Sequence, residues 1–193
     1  MSNIEVIPNS SRARDLYLTL VKAAEEEILL IFPTTNSFIR QEKIGVIQVA
    51  KKVAKELDVQ VRILMPVHES TGQSVQSLRG QNGNAIDVRN IEQTSGTQIT
   101  ILVVDRNVSL VMEIRDDSRE TFDEAIGLST YSNSKPGVLS YVAIFENLWK
   151  QTELYENIKK SHEQLEVHTK TQKEFINIAA HELRTPIQPI ADS

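Results

Sequence analysis

Cysteine is absent from this 193-residue chain, aromatic residues make up only 5% of it, and no apolar run is long enough to cross a bilayer. The first absence removes thiolate nucleophiles, Cys-rich zinc sites and iron–sulfur clusters held by protein thiolates. It also fits a reducing compartment. The uninterrupted run Ile28 to Phe32 falls far short of the roughly 18 apolar residues that a membrane span needs, so no membrane partner is expected. The first residues, Met1 to Glu5, carry neither a basic leader nor an apolar secretion core, and a cytoplasmic location is the expectation. Basic charge is scarce too: 21 Lys and Arg against 26 Asp and Glu leave a net charge of −5. A chain of that balance does not hold a polyanion by bulk electrostatics, so nucleic acid is not expected as a partner. What is present is a 40% hydrophobic fraction, enough to bury a core at this length.

Periodicity divides the chain near Lys135-Pro136-Gly137. Before it, short apolar runs alternate with helical patterns. Strands are expected at 4–7, 28–32 and 59–65, the last two stopped by Pro33 and Pro66, with helices at 10–26 and 36–57 between them and Asn36 as N-cap of the second. A helix at 68–79 and a turn cluster, Gly80-Gln81-Asn82-Gly83-Asn84, follow. Strands at 86–91, 99–104 and 108–114 come next, the last two joined by a tight hairpin at Asp105-Arg106-Asn107, and 127–131 adds a short edge strand. A β-α-β-α-β opening of this kind is the pattern of an α/β layer fold with a mixed sheet flanked by helices.

From Val138 to Leu183 there is neither Pro nor Gly, and isolated apolar residues are spread among charged ones. This reads as one helix of roughly 70 Å at 1.5 Å per residue, most of it projecting. Tyr141, Leu148, Tyr155, His162, Thr169, Ile176 and Leu183 fall on one heptad position, with Ile144, Gln151, Ile158, Leu165, Gln172 and Ala179 on its partner position. Such a seam predicts a dimerising coiled coil, hence a homodimer, weakened by its polar members. A second stripe, Val142, Phe145 and Trp149, occurs only at the start, where the helix would pack on the α/β domain.

Near the end stands His181-Glu182-Leu183-Arg184-Thr185-Pro186, preceded by Phe175-Ile176-Asn177-Ile178-Ala179-Ala180. This run resembles the phosphoacceptor box of sensor histidine kinases. The resemblance implies that His181 is phosphorylated by ATP with Mg2+ and passes the phosphoryl group to a response regulator, that Glu182 is the base or orienting carboxylate, and that Thr185 orients a water for dephosphorylation. One imidazole nitrogen attacks while the other is held by a carboxylate, which is why a His–Glu pair suits the task. Pro186 should bend the helix just below His181. His68, His162 and His168 read as ordinary solvated side chains. After Pro189 only four residues remain and no Gly-rich phosphate loop occurs, so ATP would be bound by a catalytic domain that this chain lacks, and the chain alone should be inactive as a kinase.

The first region resembles one half of the phospholipase D fold, also used by the effector-binding domain of TrmB-like regulators, over the strand Glu27 to Ile31, the helix after it, the strand Asp58 to Leu64 and the strand pair around Ile101 to Asp105. In the catalytic family that last region carries His-x-Lys-x4-Asp. Counting back from Asp105 puts Gln98 at the His position and Thr100 at the Lys position. An amide cannot form a phosphohistidine, so the resemblance implies sensing of a small-molecule or protein signal rather than hydrolysis. A pocket is expected where Pro33-Thr34-Thr35-Asn36, Pro66-Val67-His68-Glu69 and the loop after Ile114 converge beyond the strand ends. No resident metal or cofactor site is expected in the domain itself. The resulting assignment is a sensor domain over 1–137, a coiled-coil signalling helix over 138–174 and the start of a phosphoacceptor domain over 175–193, together the cytoplasmic sensor region of a histidine kinase. The alternatives are a phospholipase D-like phosphodiesterase and a coiled-coil interaction scaffold.

Overall fold

Runs rich in Ile, Val and Leu meet the β propensity of a buried sheet, and seven of them pair into one. The computed structural model describes residues 1–80, 86–93 and 98–184, and of 182–184 only the helical backbone. In chain order the elements are β1 (Ile4–Ile7), α1 (Ser10–Lys22), β2 (Glu27–Ile31), α2 (Thr35–Lys43), α3 (Val46–Leu57), β3 (Gln60–Met65), α4 (Gly72–Arg79), β4 (Ile86–Asn90), β5 (Ile99–Val104), β6 (Val108–Ile114), α5 (Phe122–Ala125), β7 (Ile126–Ser132) and α6 (Lys135–Arg184). The sheet runs β1-β7-β6-β5-β2-β3-β4. Strands β2, β3 and β4 are parallel, and β5, β6, β7 and β1 are antiparallel to their neighbours. The mixed α/β architecture is the expected one.

Two cores sandwich this sheet. On one face Tyr17 and Val21 of α1, Phe38 of α2, Ile47 and Ala50 of α3, Val75 of α4 and Phe122 of α5 pack on Ile28, Leu30, Phe32, Ile63 and Leu102. On the other, Leu29, Ile31, Leu64, Ile101 and Val103 are covered by Val138, Val142, Phe145 and Trp149 of α6. Each fully buried Val or Phe among them contributes about 1.5–3 kcal/mol, which fixes the first turns of α6 on the sheet as the stripe predicts. Leu154, Tyr155, Ile158, Leu165, Phe175 and Ile176 further along α6 are exposed. By contacts the chain divides into Met1–Thr152 and Glu153–Ser193. Among the described residues no helix is long and apolar enough to cross a membrane.

Three local expectations change. The helix expected over 36–57 is two helices, because Gly45 takes φ 94°, a left-handed conformation that glycine adopts without steric cost. Its N-cap is Thr34, which accepts from Ser37 N and forms a capping box with it, rather than Asn36. The strand at 127–131 is no edge: β7 lies between β1 and β6, with Gly127 and Leu128 together opposite Glu113 in a bulge. The hairpin turn forms as expected, with Asp105 and Arg106 at φ 51° and 54°. The turn residues Gln81, Asn82, Gly83 and Asn84 lie outside the described residues, as do Thr185 and the bend at Pro186.

Candidate functional site

The start of β5 is where the phospholipase D resemblance would seat catalysis. Gln98 is exposed just before the strand, and its carbonyl accepts from Ile114 N at 2.7 Å. Thr100 faces the helix-rich core, fully buried, and its hydroxyl has no partner. Asp105 sits at the far end of β5, where its carboxylate accepts from the backbone N–H groups of Glu25 (3.0 Å), Glu26 (2.8 Å) and Glu27 (2.8 Å). That is a clamp between the hairpin and the start of β2, with every oxygen committed. The set lacks the His and Lys of that pattern, Thr100 is sealed in the core, and the Asp105 carboxylate is taken by backbone N–H groups.

A more coherent polar arrangement lies at the N-terminus of α2. A groove of about 130 Å³ is lined by Asn36, Ile39, Arg40, Lys43 and the segment Asp117, Ser118, Arg119 and Glu120. Arg40 is 2% exposed and pairs with Asp117 at 2.7 Å. Thr34 and Asn36 also reach Asp117. Residues 116–119 are knitted by Asp116, which accepts from Ser118 Oγ, Ser118 N and Arg119 Nε. The Ser118 bonds, with Arg119 beside them, hold the Asp116 carboxyl below its ordinary range. The structure therefore brings together two of the three segments expected to converge, 33–36 and the loop after Ile114. The third does not line this groove: Val67 N bonds to Asn90 Oδ1, and His68 N to Thr71 Oγ1. Arg40 and Asp117 escaped the sequence reading. An Arg on an amphipathic helix resembles a solvated face, and only its buried neighbours, Ser37, Phe38 and Gln41, hinted otherwise.

A second charged cluster joins the sheet to α6. Arg62 of β3 donates to Glu27 (2.9 Å) and Glu146 (2.6 Å), while Arg106 reaches Glu27 (2.8 Å) and Glu146 (2.9 Å). The Arg62 guanidinium lies 5.1 Å from the Phe145 ring and 5.3 Å from Trp149, and Arg89 lies 4.1 Å from Trp149. Burial pushes the Glu27 carboxyl up, but hydrogen bonds from Arg106 and Arg62 outweigh it and leave its pKa below the ordinary range. For Glu146 the Arg62 hydrogen bond is the leading cause of the same downward shift.

His181 lies on the exposed surface of α6. The side chain of Glu182 and all of Thr185 fall outside the described residues. His162 pairs with Glu166 at 3.2 Å, one turn on, as a surface residue does.

No family model matches the chain, and no curated protein is similar to it in sequence. Solved structures are. NucT from Helicobacter pylori is 11% identical, with 78% of this chain and 96% of that chain covered at a TM-score of 0.59. Nuc from Salmonella typhimurium, a phospholipase D family member, is 15% identical, with 78% and 96% covered at 0.55. TrmBL2, an archaeal chromatin protein with a novel mode of DNA binding, is 12% identical, with 77% of this chain and 52% of that one covered at 0.55. At such identities the likeness is one of fold, and the fold is phospholipase D-like. It corrects two expectations. Nuc is a phospholipase D family member and none of these structures is named as a histidine kinase, so the kinase assignment is withdrawn, and with it the response regulator as a partner. The exclusion of nucleic acid, drawn from net charge, is withdrawn as well, because a DNA-binding protein shares the fold. Global charge is blind to a local site. What this chain shares with these solved structures is the fold of its α/β domain.

Proposed function

We propose that Met1–Thr152 is a phospholipase D-like domain that recognises a nucleic-acid phosphodiester without hydrolysing it. The observation that carries this reading is the pairing of that fold with Gln98 and Thr100 at the two positions where the family's chemistry needs His and Lys. Of the three readings open from sequence, the fold favours the phosphodiester one, and the missing nucleophile turns hydrolysis into binding. Net charge of −5 opposes any polyanion, so affinity must come from a local cluster such as Arg40, Lys43 and Arg119 and should weaken steeply with salt. The lack of cysteine fits a cytoplasmic setting. The test is fluorescence anisotropy of labelled DNA oligonucleotides titrated with the full chain at low and moderate salt, followed by gel analysis of the same samples. Salt-sensitive binding with uncut DNA is expected. Cleavage by the purified chain, or no binding at low salt, refutes the reading.

A second reading concerns the far end of α6 and is favoured by the exposure of His181 within the run His181-Glu182-Leu183-Arg184-Thr185-Pro186. His181 would accept a phosphoryl group, with Glu182 orienting its imidazole and Thr185 a water for removal. ATP and Mg2+ would be held by a catalytic domain outside these 193 residues, which are themselves assigned no kinase activity. Acid-labile phosphate that disappears in His181→Gln is the expected signature, and equal labelling of that variant rejects it.

A further inference from the structure

The N-terminus of α2 already holds an anion, and the anion belongs to the chain itself. Asp117 Oδ1 accepts from Thr34 Oγ1 at 2.9 Å and from Arg40 Nη2 at 2.7 Å. Asn36 Nδ2 reaches Asp117 Oδ2 at 3.5 Å and the Asp117 carbonyl at 3.2 Å. Arg40 Nη1 donates to the carbonyls of Asp117 (2.9 Å) and Arg119 (3.1 Å). A hydroxyl, an amide and one guanidinium N–H thus converge on one carboxylate, and donors of these kinds also recognise phosphoryl oxygens.

The two sides of this contact are unequal. Arg40 is 2% exposed and belongs to the packed face of α2, whereas Asp117 is 26% exposed on the connection between β6 and α5. Burying a guanidinium is strongly unfavourable unless its donors are met, more than fastening a surface turn requires. Its donors are not all met: Arg40 Nε is buried and has no partner. A carboxylate holds its two oxygens in one plane, whereas the tetrahedral phosphorus of a phosphodiester adds two ester oxygens out of the plane of its two charged ones. Lys43 and Arg119 line the same groove beside Glu120, and since Arg119 is paired with Asp116 at 3.1 Å the further positive charge is that of Lys43.

We propose that the side chains of Thr34, Asn36 and Arg40 form a phosphoryl-binding cradle, and that Asp117 closes it as an internal stand-in which a phosphodiester displaces. This rests on the reading of phosphodiester recognition above and names both its site and its gate. While Asp117 occupies the cradle, only the open fraction of molecules can bind, so the apparent affinity is lowered by that fraction.

The experiment compares the full-length chain with Asp117→Ala and Asp117→Asn, the second kept because it preserves shape if the first fails to fold. Inorganic phosphate binding is measured by calorimetry and by thermal unfolding, with acetate as the comparison anion. Opening the gate should tighten phosphate binding by roughly tenfold or more. Phosphate should raise the unfolding temperature of the variants and leave the parent chain nearly unmoved, and adding Arg40→Met to either variant should abolish the gain. Equal phosphate affinity in parent and variants overturns the cradle, as does restoration by acetate matching that by phosphate, which would mark Asp117 as a plain staple. If the parent binds DNA and the variants gain no phosphate affinity, the cradle fails and the phosphodiester reading stands. If the variants gain phosphate affinity but DNA never binds, the cradle stands and the nucleic-acid reading fails.

Discussion

Arg62→Met tests how the sheet holds the base of α6. Arg62 lies in β3 with its side chain 21% exposed, and its guanidinium makes three hydrogen bonds, two to Glu146 and one to Glu27. It also lies over Phe145 and Trp149, which stack on one another at 5.6 Å. A charge-assisted hydrogen bond is worth about 1.5–3 kcal/mol, and a cation–π contact about 0.5–2 kcal/mol. These do not add here. Glu146 is 38% exposed, so solvent screens its share, and Arg106 still neutralises both carboxylates after the substitution. Methionine keeps much of the apolar stem against the rings. What remains is the loss at Glu27, whose side chain is 17% exposed, and the net cost should be roughly 2–3 kcal/mol. For a chain of this size that lowers Tm by about 4–12 °C. Trp149 is the sole tryptophan and lies at this contact, so its emission reports the detachment directly in a urea titration.

The same variant has a pH signature. Glu27 and Glu146 have folded-state pKa values below the ordinary glutamate range. A depressed carboxylate pKa contributes stability that is fully present above the unfolded value and fades as pH falls through the folded one. Unfolding free energy of the parent chain should therefore drop below about pH 4.3, and Arg62→Met should show a smaller drop over the same window. A loss under about 0.5 kcal/mol at neutral pH, the range of an ordinary surface substitution, refutes the reasoning, and so does an unchanged acid limb.

Asp105→Ala removes an acceptor for three backbone N–H groups and should cost roughly 2 kcal/mol in urea unfolding, while Asp105→Asn, which keeps one acceptor oxygen and tolerates φ 51°, should lose about half of that. A neutral Asp105→Ala would show that the clamp is dispensable. Thr100→Val should be neutral or stabilising by up to about 1 kcal/mol, because its buried hydroxyl has no partner to lose. Thr100→Lys should cost more than about 3 kcal/mol by placing a charge in the core, and a well-folded Lys variant would contradict the burial that separates this strand from the catalytic pattern.

How much of this was legible in the sequence depends on how local each cause is. Strands β2, β3, β5 and β6 follow from apolar runs closed by Pro or by the turn at Asp105, and the stripe Val142, Phe145 and Trp149 identifies the face of α6 that docks. Each signal is contained within a few residues. The break at Gly45 was masked because helical periodicity runs on through Ile47, Ala50 and Ala54, and one glycine in a helical pattern is not by itself a stop. β7 was misplaced to an edge because nothing in its sequence reveals that β1, from the opposite end of the chain, pairs beyond it through Ile4↔Ser132 and Ile7↔Ser129.

The candidate site divides along the same line. The departure from the His-x-Lys-x4-Asp pattern was legible, since Gln98, Thr100 and Asp105 stand at its spacing, and the structure adds that Thr100 is buried and Asp105 committed to the backbone. The α2 cradle was not, because its halves are 77 residues apart in sequence. Arg40 by itself is one more cation on a helix, and Asp117 one more acid in a polar loop. Net charge counted them as cancelling, yet a buried guanidinium and a partly exposed carboxylate do not cancel when another anion can take the carboxylate's place. An acidic chain can therefore hold a phosphoryl site without any basic surface to announce it, provided the cation is buried and a movable acid of its own covers it.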